Sequence, residues 1–98
     1  MTYFIIEGIL KNSNSIDEST MKEHMDYTQK AMDEGLILMS GIKTNMSGGV
    51  FIMKEESIEK VYEYLVSEPC KLSGIQDYNV IEFSPHYFNQ SPSEWFGS

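Results

Sequence analysis

His24 is one of two histidines in the chain. Imidazole exchanges a proton near neutral pH, its reference pKa being about 6.5. Acid–base work also needs an acceptor that orients the ring, usually a carboxylate. Four acids come into question: Glu68 beside Pro69, Asp33 nine residues after His24, and Glu7 and Glu82, each of which interrupts an apolar stretch. At about 100° per residue, Asp33 lies roughly half a turn from His24 on a common helix, so it reaches the histidine only if the helix ends first. An acid inside a strand needs a partner or a wet pocket. For Glu7 and Glu82, an edge or barrel-mouth position competes equally with a functional one. For His24 itself the plainer alternative is a boundary histidine, one nitrogen bonded and the other in water, and the isolated residue favours it. Ser40, Ser73 and Cys70 are nucleophiles in principle, but no base is placed near them; Cys70 reads as a passive thiol. Three of the seven methionines, Met21 and Met25 among them, fall on the His24 segment. They could line an adaptable apolar pocket, though such a stripe is more often ordinary core.

These residues are positioned by elements legible in the periodicity. Residues 3–10 alternate as a strand. From Asp17 the period becomes helical, with Met21, Met25, Thr28 and Met32 on one stripe beside Tyr27 and Ala31. Ser15 or Asp17 can cap this helix, and Gly35 stops it, giving residues 17–34. Residues 36–40 and 50–53 are strands, and Gly48-Gly49 belongs to the hairpin between them. A second helix spans residues 57–68 with Ile58, Val61, Tyr62 and Leu65 inward, ended by Pro69. Residues 77–83 form the last strand. His86, Tyr87, Phe88, Trp95 and Phe96 then mark an aromatic tail, residues 86–98, without clear period. The order β-α-β-β-α-β predicts an α+β, ferredoxin-like domain over residues 1–85. Its four-stranded antiparallel sheet carries two helices on one face.

Composition excludes several functions. The chain has 98 residues, 41% of them hydrophobic, which suits one domain. Seven basic residues, all lysine, stand against 15 acids, a formal net charge of −8. Nucleic acid and anionic membrane need a basic face and are therefore not expected partners. No apolar run approaches the roughly 20 residues of a membrane span, and the N-terminus lacks signal-peptide character. The single cysteine cannot form an internal disulfide, so a reducing cytoplasm is the expected compartment. No metal-ligand spacing or phosphate loop occurs, and neither a metal nor an organic cofactor is expected.

Two helices cover only one face of such a sheet, and the other should turn polar. Here it does not. Tyr3, Ile5 and Ile9 share one parity; Phe4, Ile6 and Leu10 share the other. The remaining strands repeat the pattern, as in Val50 and Ile52 against Phe51 and Met53. An open apolar face of that extent predicts a homodimer packed sheet to sheet, with partial cover by the tail as the alternative.

The chain resembles the YCII-related (YciI-like) family over about residues 3–85. The resemblance is carried by Tyr3-Phe4-Ile5-Ile6, His24, Asp33-Glu34-Gly35 with Leu36, Ser40-Gly41, Glu68-Pro69, Ser73-Gly74-Ile75 and Pro85. It implies a dimeric α+β barrel with a histidine–acid pair in a cleft of each subunit, and lyase-type proton transfer on small, often aromatic compounds. His24 matches the family's histidine. Glu68-Pro69 stands where the family commonly has Asp-Pro, one methylene longer with the charge kept, and Ile42 replaces a frequent proline.

The expected function is thus a small-molecule enzyme of lyase or isomerase type. His24 moves the proton, Glu68 orients it, and Asp33 is a further candidate acid. Met21 and Met25 shape the pocket, and Tyr3 or Ser40 binds a substrate oxygen. The competing reading is a non-catalytic dimer that binds a ligand or protein; a third is a cofactor-free monooxygenase. Two chains of −8 make about −16, which favours a neutral or aromatic substrate over an anion.

Overall fold

A computed structural model describes residues 1–11 and 17–97. The chain runs β1 (Thr2–Leu10), α1 (Glu18–Asp33), β2 (Ile37–Ile42), β3 (Gly49–Glu55), α2 (Ile58–Val66), α3 (Pro69–Leu72), β4 (Gln76–Phe83) and α4 (Pro92–Phe96). The strands form one sheet in the order β2-β3-β1-β4, and every neighbouring pair is antiparallel. This is the expected α+β arrangement. β1, the strand with the strongest apolar pattern, lies at the centre, where both of its edges are hydrogen-bonded.

Parity divides the sheet. Phe4 and Ile6 of β1, Phe51 and Met53 of β3 and Ile37 of β2 are buried in one cluster with Ala31 of α1 and Val61 and Leu65 of α2. The helices therefore cover this face. Tyr3, Ile5, Glu7 and Ile9 point the other way, in register with Ile52 and Val50 on one side and with Phe83, Ile81, Asn79 and Asp77 on the other. That second face carries no layer: Tyr3, Ile9 and Ile81 are 37%, 44% and 48% exposed. The tail does not close it. Phe88 joins Met1, Tyr3, Phe83 and Pro85 around a cavity at one end of the face, while Tyr87 is 98% exposed. On the open face, Glu7 accepts from Lys43 Nζ at 2.7 Å. Glu82 is exposed on edge strand β4.

Several local expectations are corrected. Of the expected α1 stripe, Thr28 and Met32 are half-buried, as are Tyr27, Thr20 and His24, and Ala31 is fully buried, whereas Met21 and Met25 are exposed. Hydrophobicity alone placed Met21 and Met25 inward. The helix instead needs small and polar side chains where it packs on α3 and β2, and Ala31 permits the close approach. Asp17 caps α1, its carboxylate accepting from Thr20 N at 2.8 Å; Ser15, the other candidate cap, lies outside the described residues. β2 begins at Ile37 and shifts register between Ile37 and Met39, so that Leu38 is 61% exposed. The second predicted helix stops at Val66, and Pro69, expected only to end it, opens α3. At the β2–β3 hairpin, Gly48 has φ 145° and lies so close to β1 that a Cβ would meet Gly8 O at 2.0 Å. Only glycine fits there.

Candidate active site

Pro69 fixes the backbone of the site. It cannot continue α2 and favours an extended residue before it, and Glu68 accordingly has φ −68° and ψ 131°. That conformation makes Glu68 the N-cap of α3. Its Oε2 accepts from Cys70 N at 2.9 Å and Lys71 N at 3.2 Å. The same oxygen accepts from the Tyr78 hydroxyl on β4 at 2.6 Å. Oε1 is left for His24, whose Nδ1 it meets across the α1–α3 contact. Glu68 is 2% exposed and the His24 side chain 30%.

A series of aromatics runs from α1 to Tyr78, which bonds the carboxylate. Tyr27 and Tyr64 stack with centroids 4.7 Å apart, and Phe51 meets Tyr64 and Tyr78 edge-on at 6.3 and 6.4 Å. The Tyr27 hydroxyl donates to the Tyr64 carbonyl at 2.6 Å, locking α1 to α2. Behind Tyr78, Gln76 Nε2 donates to the phenol oxygen at 2.8 Å. Gln76 is itself buried, and it occupies the space left by Gly8, where a Cβ would stand 2.5 Å from its Oε1.

The electrostatics follow from this layout. Burial pushes the Glu68 carboxyl up, but the bonds from His24 and Tyr78, the charge on His24 and the Lys71 N–H outweigh burial and hold it below the usual range. Burial and the Glu68 carboxylate both raise Tyr78, which stays a donor. Cys70, 1% exposed, is pushed up to about 11 by burial and then by Glu68, so it is a thiol and not a thiolate nucleophile. Donor atoms of His24, Glu68 and Cys70 lie within 4.8 Å of one another. As arranged, both carboxylate oxygens are already engaged by hydrogen-bond donors. An ionised Glu68 accepts at Oε1, so His24 donates from Nδ1–H. In a neutral ring that donates from Nδ1, Nε2 is the nitrogen left with a lone pair, and it meets no protein partner among the described residues.

The structure thus brings His24 and Glu68 together and leaves the other candidates apart. Asp33 accepts from Gln29 Nε2 at 2.8 Å, and because α1 continues through it, it stays round the helix from His24. Tyr3 lies on the opposite face of the sheet. Met21 and Met25 flank His24 in sequence but line none of the described cavities, and Ser40 is exposed on edge strand β2. An apolar cavity of about 350 Å³ lies at the β2 bulge, lined by Tyr3, Leu38, Ile52 and Lys54 among others. It contains neither His24 nor Glu68 and is not where the acid–base groups are. Tyr78 and Gln76 escaped the sequence reading. Their signal is parity: Gln76 and Tyr78 alternate with Val80 on the inward side of β4, where apolar residues are the rule.

A family model described as YCII-related domain matches residues 1–84. Among solved structures, 5-chloro-2-hydroxyhydroquinone dehydrochlorinase (TftG) from Burkholderia phenoliruptrix AC1100, in complex with 2,5-dihydroxybenzoquinone, has a TM-score of 0.69 at 18% identity. The match covers 86% of this chain and 94% of that one. Muconolactone isomerase has a TM-score of 0.68 at 16% identity, covering 86% and 90%. At these identities the likeness is one of fold. No curated protein matches the chain.

Proposed function

Since the chain belongs to the YCII-related family, we propose that it is a small-molecule enzyme in which His24 and Glu68 carry out proton transfer. The observation that carries this reading is the buried Glu68 carboxylate, held by four donors and turned so that one oxygen fixes Nδ1 of a partly exposed histidine. This is the arrangement in which an imidazole works as a general base. Nε2 removes a proton from a substrate O–H or C–H, and Glu68 stabilises the imidazolium that forms. Nε2 then returns the proton to another atom or to a leaving group. Isomerisation and elimination both consist of such steps and need no metal or organic cofactor.

The substrate class is a neutral hydroxylated ring compound or lactone. The names of both structural neighbours point to small ring compounds, and the net charge of −8 disfavours anions. The working unit is a homodimer in which the open sheet faces of two copies cover each other, a reading supported by the exposed Tyr3, Ile9 and Ile81.

The test is turnover of a panel of halogenated quinols and unsaturated lactones, followed by ultraviolet absorbance and chloride release. His24→Ala should lower kcat/KM by roughly 10²–10⁴-fold. Turnover that survives this substitution intact removes the site. Binding without turnover, with affinity indifferent to His24, identifies a non-catalytic module instead.

A further inference from the structure

Two of the donors to Glu68, Cys70 N and Lys71 N, are local to the α3 cap and follow α3 wherever it moves. The third does not. Tyr78 comes from β4, so its 2.6 Å bond ties the carboxylate to the sheet. A phenol has one proton to give. Gln76 Nε2, 2.8 Å away, can only donate, and by occupying the phenol oxygen as donor it leaves the Tyr78 proton directed at Glu68. Both side chains sit where apolar residues would pack without the cost of burying an amide and a hydroxyl. Gly8, by lacking a Cβ, provides the space that admits Gln76.

We infer that Gln76 and Tyr78 form a positioning relay that fixes the Glu68 carboxylate, and through it the Nδ1–H tautomer and orientation of His24. This inference rests on the proton-transfer reading given above. Neither residue touches the reacting atoms; each acts through Glu68. Without the relay, the carboxylate keeps its cap on α3 but can rotate away from α1, and His24 samples both tautomers. Since only the Nδ1–H tautomer leaves Nε2 basic, the defect falls on the chemical step and not on substrate binding.

The experiment is long-range ¹⁵N–¹H spectroscopy of the His24 ring in the native protein, Tyr78→Phe and Gln76→Leu, joined to kinetics on any substrate found. The native ring should show Nδ1–H alone. Both variants should show mixed tautomers, with kcat lower by roughly tenfold and KM within about twofold. A single unchanged tautomer in both variants overturns the relay. Turnover that needs His24 but is unaffected by Tyr78→Phe also overturns it, while leaving the enzymatic reading intact. Loss of tautomer order in a protein that turns over none of the panel supports the relay and refutes the enzymatic reading.

Discussion

Replacing Glu68 by glutamine keeps the size of the side chain and changes what its two terminal atoms can do. Oε2 receives three donors, at 2.6, 2.9 and 3.2 Å, and an amide nitrogen cannot accept from any of them. The amide must therefore place its oxygen there and turn its NH₂ toward His24. Nδ1 then has to accept, and the ring proton moves to Nε2, where it blocks the base. Charge-assisted hydrogen bonds are about twice as strong as neutral ones, so the three retained bonds lose on the order of 1 kcal/mol each. Against this, the variant no longer buries a charge, whose desolvation costs several kcal/mol in its own right. The two terms nearly offset, and the folded protein should change in stability by less than about 2 kcal/mol. Activity should not survive. A base held in the wrong tautomer loses on the order of 10⁴ in kcat. Thermal unfolding and ¹⁵N ring spectroscopy of Glu68→Gln report the two halves of the prediction separately. A variant that folds and still shows His24 protonated at Nδ1 would refute the assignment of donors and acceptors at this site.

The same carboxylate makes stability depend on pH. Because Glu68 titrates lower in the folded chain than its unfolded value of about 4.3, its contribution is complete above that value and is lost as pH falls through the depressed folded one. Glu7, Asp17 and Asp77 are also lowered and add to the acid-side fall, so the diagnostic quantity is the difference between native protein and Glu68→Gln. The native melting temperature should fall more steeply below about pH 4.5 than that of the variant, and parallel curves contradict the reading. The open sheet face predicts a sedimenting mass near twice 11.3 kDa at micromolar concentration, reduced to the monomer by Ile81→Lys, whose side chain points from that face. A native protein that sediments as a monomer rules out the sheet-to-sheet dimer.

Strand periodicity carried most of the fold into view. Because side chains alternate with a period of two, the surplus apolar parity of residues 3–10 was readable before any topology was known, and it is the face that stands open. Helix α1 shows the limit. Its length and one of two candidate caps were legible, and so was the C-terminal half of its inward side. His24, however, turns inward to bond Glu68, a polar reason that a hydrophobicity count passes over, while Met21 and Met25 stay exposed. Pro69 was read as a terminator; its second property, suitability for the first position of a helix, creates α3 and the cap geometry of Glu68. Glu68 was one of several candidate acids for His24 on the residues alone, and the family resemblance singled it out, since 44 residues separate the partners and no local spacing links them. Asp33 was excluded conditionally by helical geometry, and the continuation of α1 through it meets the condition. Tyr78 and Gln76 stand out only as a polar break in the inward parity of β4; their approach to Glu68 required knowing that β4 lies beside β1 with Gly8 opposite Tyr78.

Glu68 serves two masters, a helix terminus and an imidazole, and this has a consequence for how the protein drifts over generations. A lineage that no longer needed the reaction would still be held to an acceptor at this position, because α3 starts on it. An oxygen acceptor, carboxylate or amide, would therefore outlast the chemistry. His24 has no comparable second duty: among its described contacts it holds only Glu68. Among descendants of this chain, Glu or Gln at position 68 beside a lost histidine would mark abandonment of the reaction, whereas retention of the charged pair would mark selection on catalysis itself.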